Sequence, residues 1–367
     1  MQFDALLDTM VREQASDLFL TVGAPAHLKV QGRIHPLPMP PFAPGEVAQL
    51  VWDVLGQERR DEFERELELN VAHDLPGVGR FRLNVYRQRG EVALVVRYIR
   101  ARIPSLESLG LPPLLQELVM EPRGLVLVVG ATGSGKSTTL AAMIDHRNTH
   151  GGGHLLTIEE PIEYLHEHKR CVVGQREVGV DTHSYANALK NAMREAPDVI
   201  LIGEIRDHDT MRHALTYAET GHLCLSTLHA NNANQAIDRI INFFPDSAHR
   251  QLYTDLSLNL RAVISQRLLP GSDGNLVPAV EILLRSAYVA DLIAKREIGQ
   301  LKDAMARGNE TGMRTFDQAL FELQQQGRIH VDVALANADA RGDLALRIRL
   351  SQGLDPAKGD TGLSLQR

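Results

Sequence analysis

Apolar positions along this chain follow two rhythms. From residue 114 onward, short continuous apolar runs at 125–129, 155–158, 199–202 and 223–227 alternate with stretches near 137–147, 185–194 and 210–219 that suit helices. Continuous runs bounded by turn residues predict buried strands, and their alternation with helices predicts a largely parallel sheet flanked by helices. Beyond about residue 232 the pattern predicts a mainly helical region, and after residue 352 the periodicity is lost in a stretch rich in Gly, Asp, Ser and Pro, expected to be disordered. Residues 1–100 read differently, as an α+β domain. A helix to about residue 15, strands near 18–21 and 28–30, an amphipathic helix near 46–56 and a charged helix near 57–68 precede strands at 79–86 and 92–98, joined by a tight turn at Arg89-Gly90. The prolines at 36, 38, 40, 41 and 44 make a rigid connector, and residues 101–113, with Pro104, Gly110, Pro112 and Pro113, read as a linker to the domain at 114–351.

The run at 125–129 leads into Gly130-Ala131-Thr132-Gly133-Ser134-Gly135-Lys136-Ser137, with Thr138 following at the start of the predicted helix. This is a phosphate-binding loop in its proper setting. The glycines let backbone N–H groups curl around phosphate oxygens, Lys136 reaches the β- and γ-phosphates, and the Ser137 hydroxyl can ligate Mg²⁺. The helix that follows adds a favourable dipole beneath the anion. ATP and Mg²⁺ are therefore the expected cofactors.

Composition narrows the class. The chain has 367 residues, 44% hydrophobic and 23% charged, which fits a globular protein of two or three domains. No stretch approaches the roughly 18–20 apolar residues of a membrane span, and Asp4, Asp8 and Glu13 are out of place in a signal peptide, so a cytoplasmic location is expected. A net charge of −7 argues against generic nucleic-acid binding. Cys171 and Cys224 are the only cysteines, which excludes both a disulfide framework and a four-cysteine zinc site.

Other segments carry candidate chemistry. The strand at 199–202 ends in Gly203-Glu204, the position from which a P-loop enzyme approaches its metal; Glu204 is expected to hold Mg²⁺ or its water shell. Thr157-Ile158-Glu159-Glu160-Pro161-Ile162-Glu163 is a second strand ending in acids, and Glu163 is the candidate to orient or deprotonate the attacking water. His222 and His229 bracket the strand at 223–227 and are candidate γ-phosphate sensors. In the first domain, a two-residue hairpin at Arg89-Gly90 sets Arg82 opposite Arg97, with Arg80 on the same face as Arg82. Like charges paired across strands call for an anion between them, and a phosphate is its natural guest. If it belongs to a neighbouring subunit, these are arginine fingers in trans.

Together these segments resemble the secretion-type ATPases of type IV pilus and type II secretion systems: a P-loop, an acidic box at 157–163, a glutamate-ended strand at 199–204 and a histidine box at 221–229. Ser16-Asp17-Leu18-Phe19 with Gly32-Arg33 resembles the opening of that family's PAS-like N-terminal domain, and Gly79-Arg80-Phe81-Arg82 its arginine-bearing strand. Without a four-cysteine module the chain is similar to the retraction branch, PilT and PilU. Residues 287–293 lack the Ala-Ile-Arg-like motif of PilT-type motors, and with 315–320 and 346–351 they look more like PilU. Glu160 stands where relatives commonly have aspartate. The resemblance implies a PAS-like domain joined to a RecA-like ATPase domain, six subunits in a ring, peripheral association with an inner-membrane pilus platform protein, a PilT-type paralogue as partner, and pilus retraction for twitching motility. A nucleotide-dependent accessory subunit of a separate PilT-type motor and a nucleic-acid translocase are the alternatives.

Overall fold

In the computed structural model, residues 3–30, 32–99, 102–308 and 311–351 are described; the expected disordered tail at 352–367 lies outside them. The chain forms two compact units. The first comprises Met1–Ile103, Glu160–Glu167 and Arg176–Ser184, and the second Pro104–Glu159, His168–Gln175 and Tyr185–Arg367.

The first unit contains α1 (Phe3–Arg12), β1 (Asp17–Leu20), β2 (His27–Val30), β3 (Arg33–Pro36), α2 (Glu46–Glu66), β4 (Glu68–Leu75), β5 (Gly79–Gln88) and β6 (Glu91–Ile99). Its six strands make an antiparallel sheet in the order β3-β2-β1-β6-β5-β4. Period-two alternation sets the faces: Phe81, Leu83 and Val85 are buried, whereas Arg80, Arg82 and Asn84 are half-buried. The buried face packs on Leu6, Leu7 and Met10 of α1 and on Val47, Val51 and Phe63 of α2. The two helices expected at 46–68 are the halves of α2, broken at Gly56 (φ 77°, ψ −179°). The second half stops earlier than expected, because Leu67 turns left-handed (φ 63°) and residues from 68 enter β4. At the 89–90 turn both residues have positive φ, 52° and 84°, the type I′ geometry whose twist matches a two-residue hairpin. The register follows, with Arg82 opposite Arg97.

The second unit is built on a seven-stranded mixed sheet, in the order β13-β12-β7-β11-β10-β8-β9. In chain order its elements are α3 (Leu114–Met120), β7 (Gly124–Val129), α4 (Lys136–His150), β8 (Gly153–Glu159), β9 (Cys171–Glu177), α5 (Tyr185–Ala192), β10 (Val199–Ile202), α6 (His208–Glu219), β11 (Leu223–Leu228), α7 (Ala233–Asn242) and α8 (His249–Asn259). The central strands β7, β10 and β11 are buried at every residue, as parallel strands covered on both faces must be. Beyond residue 232 the region is mainly helical as expected, but it also holds a long hairpin that the pattern did not announce, β12 (Leu260–Pro270) and β13 (Leu276–Leu284). Arg261, Ser265, Gln266 and Arg267 interrupt the apolar run of β12 and conceal it. The hairpin is set between helices: α7 and α8 precede it, and α9 (Ala287–Ala294), α10 (Leu301–Arg307), α11 (Phe316–Gln325), α12 (Val331–Ala336) and α13 (Arg341–Ser351) follow it. Among the described residues no helix is long and apolar enough to cross a membrane.

Candidate active site

Strand register brings the site residues of the second unit together. β7 runs parallel to β11 with Val129 opposite Leu228, and β10 runs parallel to β11 with Ile202 opposite Ser226. The segments that follow these strands, the loop from Gly130, His229 and Gly203-Glu204, therefore emerge side by side. Ligands of open α/β sheets bind at this carboxyl edge, where helix N-termini and loops converge.

Gly135 caps α4 in the left-handed conformation (φ 88°), and Gly130 has φ 156°. A Cβ at residue 130 would stand 2.4 Å from Ser134 Oγ and 2.5 Å from the Gln266 carbonyl oxygen, so the loop closes too tightly for any side chain there. Lys136 is buried, and its Nζ donates to the carbonyls of Gly130 and Ala131, each at 2.9 Å, which keeps the ammonium inside the loop. Ser137 follows on the first turn of α4. Clefts of about 490 Å³, reaching His229, Asn231 and Gln235, and about 300 Å³, reaching Gln266 and Leu268, open on residues 130 and 131.

Glu204 and His229 touch. The Glu204 carboxylate receives His229 Nε2 at 3.0 Å on Oε1 and Arg206 Nε at 2.6 Å on Oε2. Its side chain is only 17% exposed, so these two partners hold it against the desolvation it suffers at the sheet edge. The Ser137 hydroxyl and the Glu204 carboxylate are hard oxygen donors of the kind Mg²⁺ takes alongside water and substrate phosphates, and the residues present fit that ion. They fit a nucleotide as well: the loop is a cradle of backbone N–H groups, and Ser134 Oγ is buried there without a hydrogen-bond partner. Just beyond, Asp207 caps α6 in a reciprocal box with Thr210, fixing the segment that carries Glu204 and Arg206.

Other expected residues lie elsewhere. His222 precedes β11 at the opposite edge of the sheet, since Leu223 pairs with Gly124, the first residue of β7. Six residues of strand separate it from His229, roughly 20 Å at about 3.3 Å per residue. Its Nδ1 lies by Thr220 Oγ1 and the Tyr217 carbonyl, so the reading of His222 as a γ-phosphate sensor is corrected to a histidine tied to the α6–β11 turn. Glu159, at the end of β8, accepts from Thr157 Oγ1 at 2.7 Å. Glu163 is exposed and belongs to the first unit.

The arginines also belong to the first unit. There the anion that the Arg82–Arg97 pairing calls for is supplied from within: Asp17, on β1 opposite Arg97, is buried and accepts from Arg97 Nε at 2.9 Å, with Lys29 Nζ at 3.9 Å. Arg97 is thus tied through Nε to Asp17, while its side chain remains 60% exposed. Arg80 faces Asp74 at 3.8 Å, and Arg82 has no ion-pair partner among the described residues. Sequence reasoning named Asp17 only within the motif at 16–19 and not as the partner of Arg97, and it missed Arg206 and Gln266; of these two only Arg206, two residues past Glu204, offered a local signal.

Known proteins are similar to this one along nearly the whole chain. A family model described as Type II/IV secretion system protein matches residues 2–291. The chain is 51% identical to the Type IV pilus ATPase PilU of Pseudomonas aeruginosa, over 97% of its own length and 93% of that protein. With the Type IV pilus retractation ATPase PilT of the same organism the identity is 41%, over 90% of this chain and 96% of that one. The crystal structure of the pilus retraction motor PilT with bound ADP aligns with a TM-score of 0.88 at 40% identity, covering 94% of this chain and 99% of that chain. A P-loop after β7, a glutamate after β10 on the far side of β11, and kinship of this extent agree: the chain belongs to the Type II/IV secretion system protein family, among its type IV pilus ATPases.

Proposed function

We propose that this chain is the subunit of a homohexameric ATP-hydrolysing motor that drives or assists retraction of type IV pili. The observation that carries the reading is the meeting of the phosphate loop, Glu204 and His229 at one sheet edge. In this reading Lys136 and the backbone of residues 130–138 hold the phosphates. Ser137 and, through water, Glu204 hold Mg²⁺, which when bound neutralises charge on the β- and γ-phosphates. His229 senses the γ-phosphate, Glu163 orients the attacking water, and Arg82, with Arg80 beside it, reaches the nucleotide of a neighbouring subunit. Residues 1–100 act as a PAS-like domain, and 114–351, after the linker at 101–113, as a RecA-like motor domain. Closure around ATP and release after hydrolysis then move the domains as near-rigid bodies and pass force to an inner-membrane platform protein, with a PilT-type paralogue as co-motor. The motor works in the cytoplasm at the membrane face. Support for the pilus assignment comes from the names and extent of the relatives.

The test is phosphate release by the purified protein, by Lys136→Ala and by Glu204→Ala, with native mass measured on the same samples. Loss of hydrolysis in both variants, in a particle of about six subunits, is the expected result. An intact ring that hydrolyses nothing without its paralogue overturns the autonomous motor in favour of an accessory subunit.

A further inference from the structure

Gln266 stands where β12 passes the mouth of the phosphate loop. Its neighbour Ser265 pairs with Val129, the last residue of β7, so Gln266 lies beside Gly130. The side chain is 4% exposed, and its Oε1 accepts from Thr139 Oγ1 of α4 at 2.7 Å. Fixing the oxygen of an amide also fixes its nitrogen, which the planar group aims the other way. Here Nε2 lies 2.8 Å from where a Cβ at residue 135 would stand, over the start of α4, and it donates no hydrogen bond among the described residues. Gln266 and Ser134 both line the cleft of about 300 Å³, and Ser134 Oγ, on a residue 6% exposed, is likewise unpartnered. Buried polar groups are ordinarily hydrogen-bonded, so the open Ser134 Oγ marks a place for a polar ligand, and the undonated Gln266 amide lines the same cleft.

We propose that Gln266 is a nucleotide-contacting residue: Nε2 donates to a phosphate oxygen of the nucleotide in the loop, and the bond from Thr139 sets its direction. The assignment rests on the nucleotide reading of the phosphate loop. It explains why residue 135 is a glycine beyond the need for positive φ, since a side chain there would displace the amide. It also makes β12 part of the site, although no motif announces it.

Calorimetric titration of the full chain with ATP, ADP and AMP tests it, using wild type, Gln266→Leu, Gln266→Glu and Thr139→Val, each with a thermal melt. Removing the donor in Gln266→Leu is expected to weaken ATP and ADP by about three- to tenfold. Gln266→Glu, which sets a carboxylate against the phosphates, should weaken ATP by more than about tenfold and fall off in the order ATP, ADP, AMP, with the penalty shrinking in salt. Thr139→Val should give a smaller loss in the same order. Unchanged ATP affinity in a normally melting Gln266→Glu overturns the proposal. Equal weakening of all three nucleotides in step with a lowered melting temperature does so too, because it assigns Gln266 a purely structural part. A wild type that binds no ATP overturns the nucleotide reading itself, whatever the variants do.

Discussion

Glu281 shows what a single carboxylate does in this framework. It is 1% exposed on β13, and its Oε1 accepts both the Ala233 N–H at the start of α7 and the Ser265 hydroxyl of β12. Burial raises its pKa, and Asp339 adds to the rise; the two hydrogen bonds and Arg267 oppose them without cancelling them. A carboxyl raised above its unfolded value binds protons more readily in the folded state. Its contribution to stability is therefore full below the unfolded pKa and is lost as pH rises through the folded one. Glu281→Gln keeps the accepting oxygen and removes the charge. Its melting temperature relative to wild type should accordingly climb as pH rises above the usual carboxylate range, and a pH-independent difference would refute the argument. The pair of bonds at Glu281 was invisible in the sequence, as were those of Gln266 and Asp17. Glu281 lies 48 residues from Ala233, Gln266 lies 127 from Thr139, and Asp17 lies 80 from Arg97. The phosphate loop was legible because its chemistry is contiguous, and Glu204 because it ends an apolar strand.

Elements were legible where one rhythm filled them. Strands β7, β10 and β11 are apolar throughout, and the β5–β6 hairpin announced its own register through Arg89-Gly90. Strands β4, β9 and β12 were missed because polar residues or a glycine break their runs: β9 contains Gly174-Gln175-Arg176, and β12 contains Ser265-Gln266-Arg267. The same edge-by-edge view explains His222: two histidines flanking one strand look adjacent in sequence and end at opposite edges of the sheet. In α2 the break at Gly56 is visible both in the pattern and in the backbone, with φ 77° and ψ −179°, a region that is essentially glycine's alone. Nothing lies within 4 Å of a Cβ added there, so a substitution meets backbone strain without a clash. Straightening the helix would relieve that strain but would turn Phe63, which is fully buried and lies 5.3 Å from Trp52, out of the core. Gly56→Ala should therefore destabilise the first unit by about 1–3 kcal/mol in urea unfolding. A cost within experimental error would show that the helix re-forms without a break.

At the scale of the whole molecule the decisive question is whether one active site draws on two chains. The first unit offers Arg82, with no carboxylate within ion-pair distance among the described residues, while Arg97 on the next strand is held by Asp17. The second unit offers the phosphate loop, Glu204 and His229. A guanidinium without a counter-ion on a half-buried sheet face is a suitable donor to an incoming phosphate, and an arginine supplied in trans is worth about 10³–10⁵ in turnover where it has been measured. Two individually inactive proteins then discriminate the arrangements. Lys136→Ala has a defective loop and an intact Arg82, and Arg82→Ala has the reverse. If Arg82 served the loop of its own chain, every subunit in a mixture would carry one defect and nothing would be regained. If it serves the neighbour, a ring assembled from equal parts of both contains, at about one interface in four, an intact loop facing an intact arginine. Co-refolded mixtures should then recover up to about a quarter of wild-type hydrolysis, while the separate variants mixed without subunit exchange should recover none. A mixture as inactive as its components, with native mass proving that mixed rings formed, would return Arg82 to the role of a solvated charge on a sheet face.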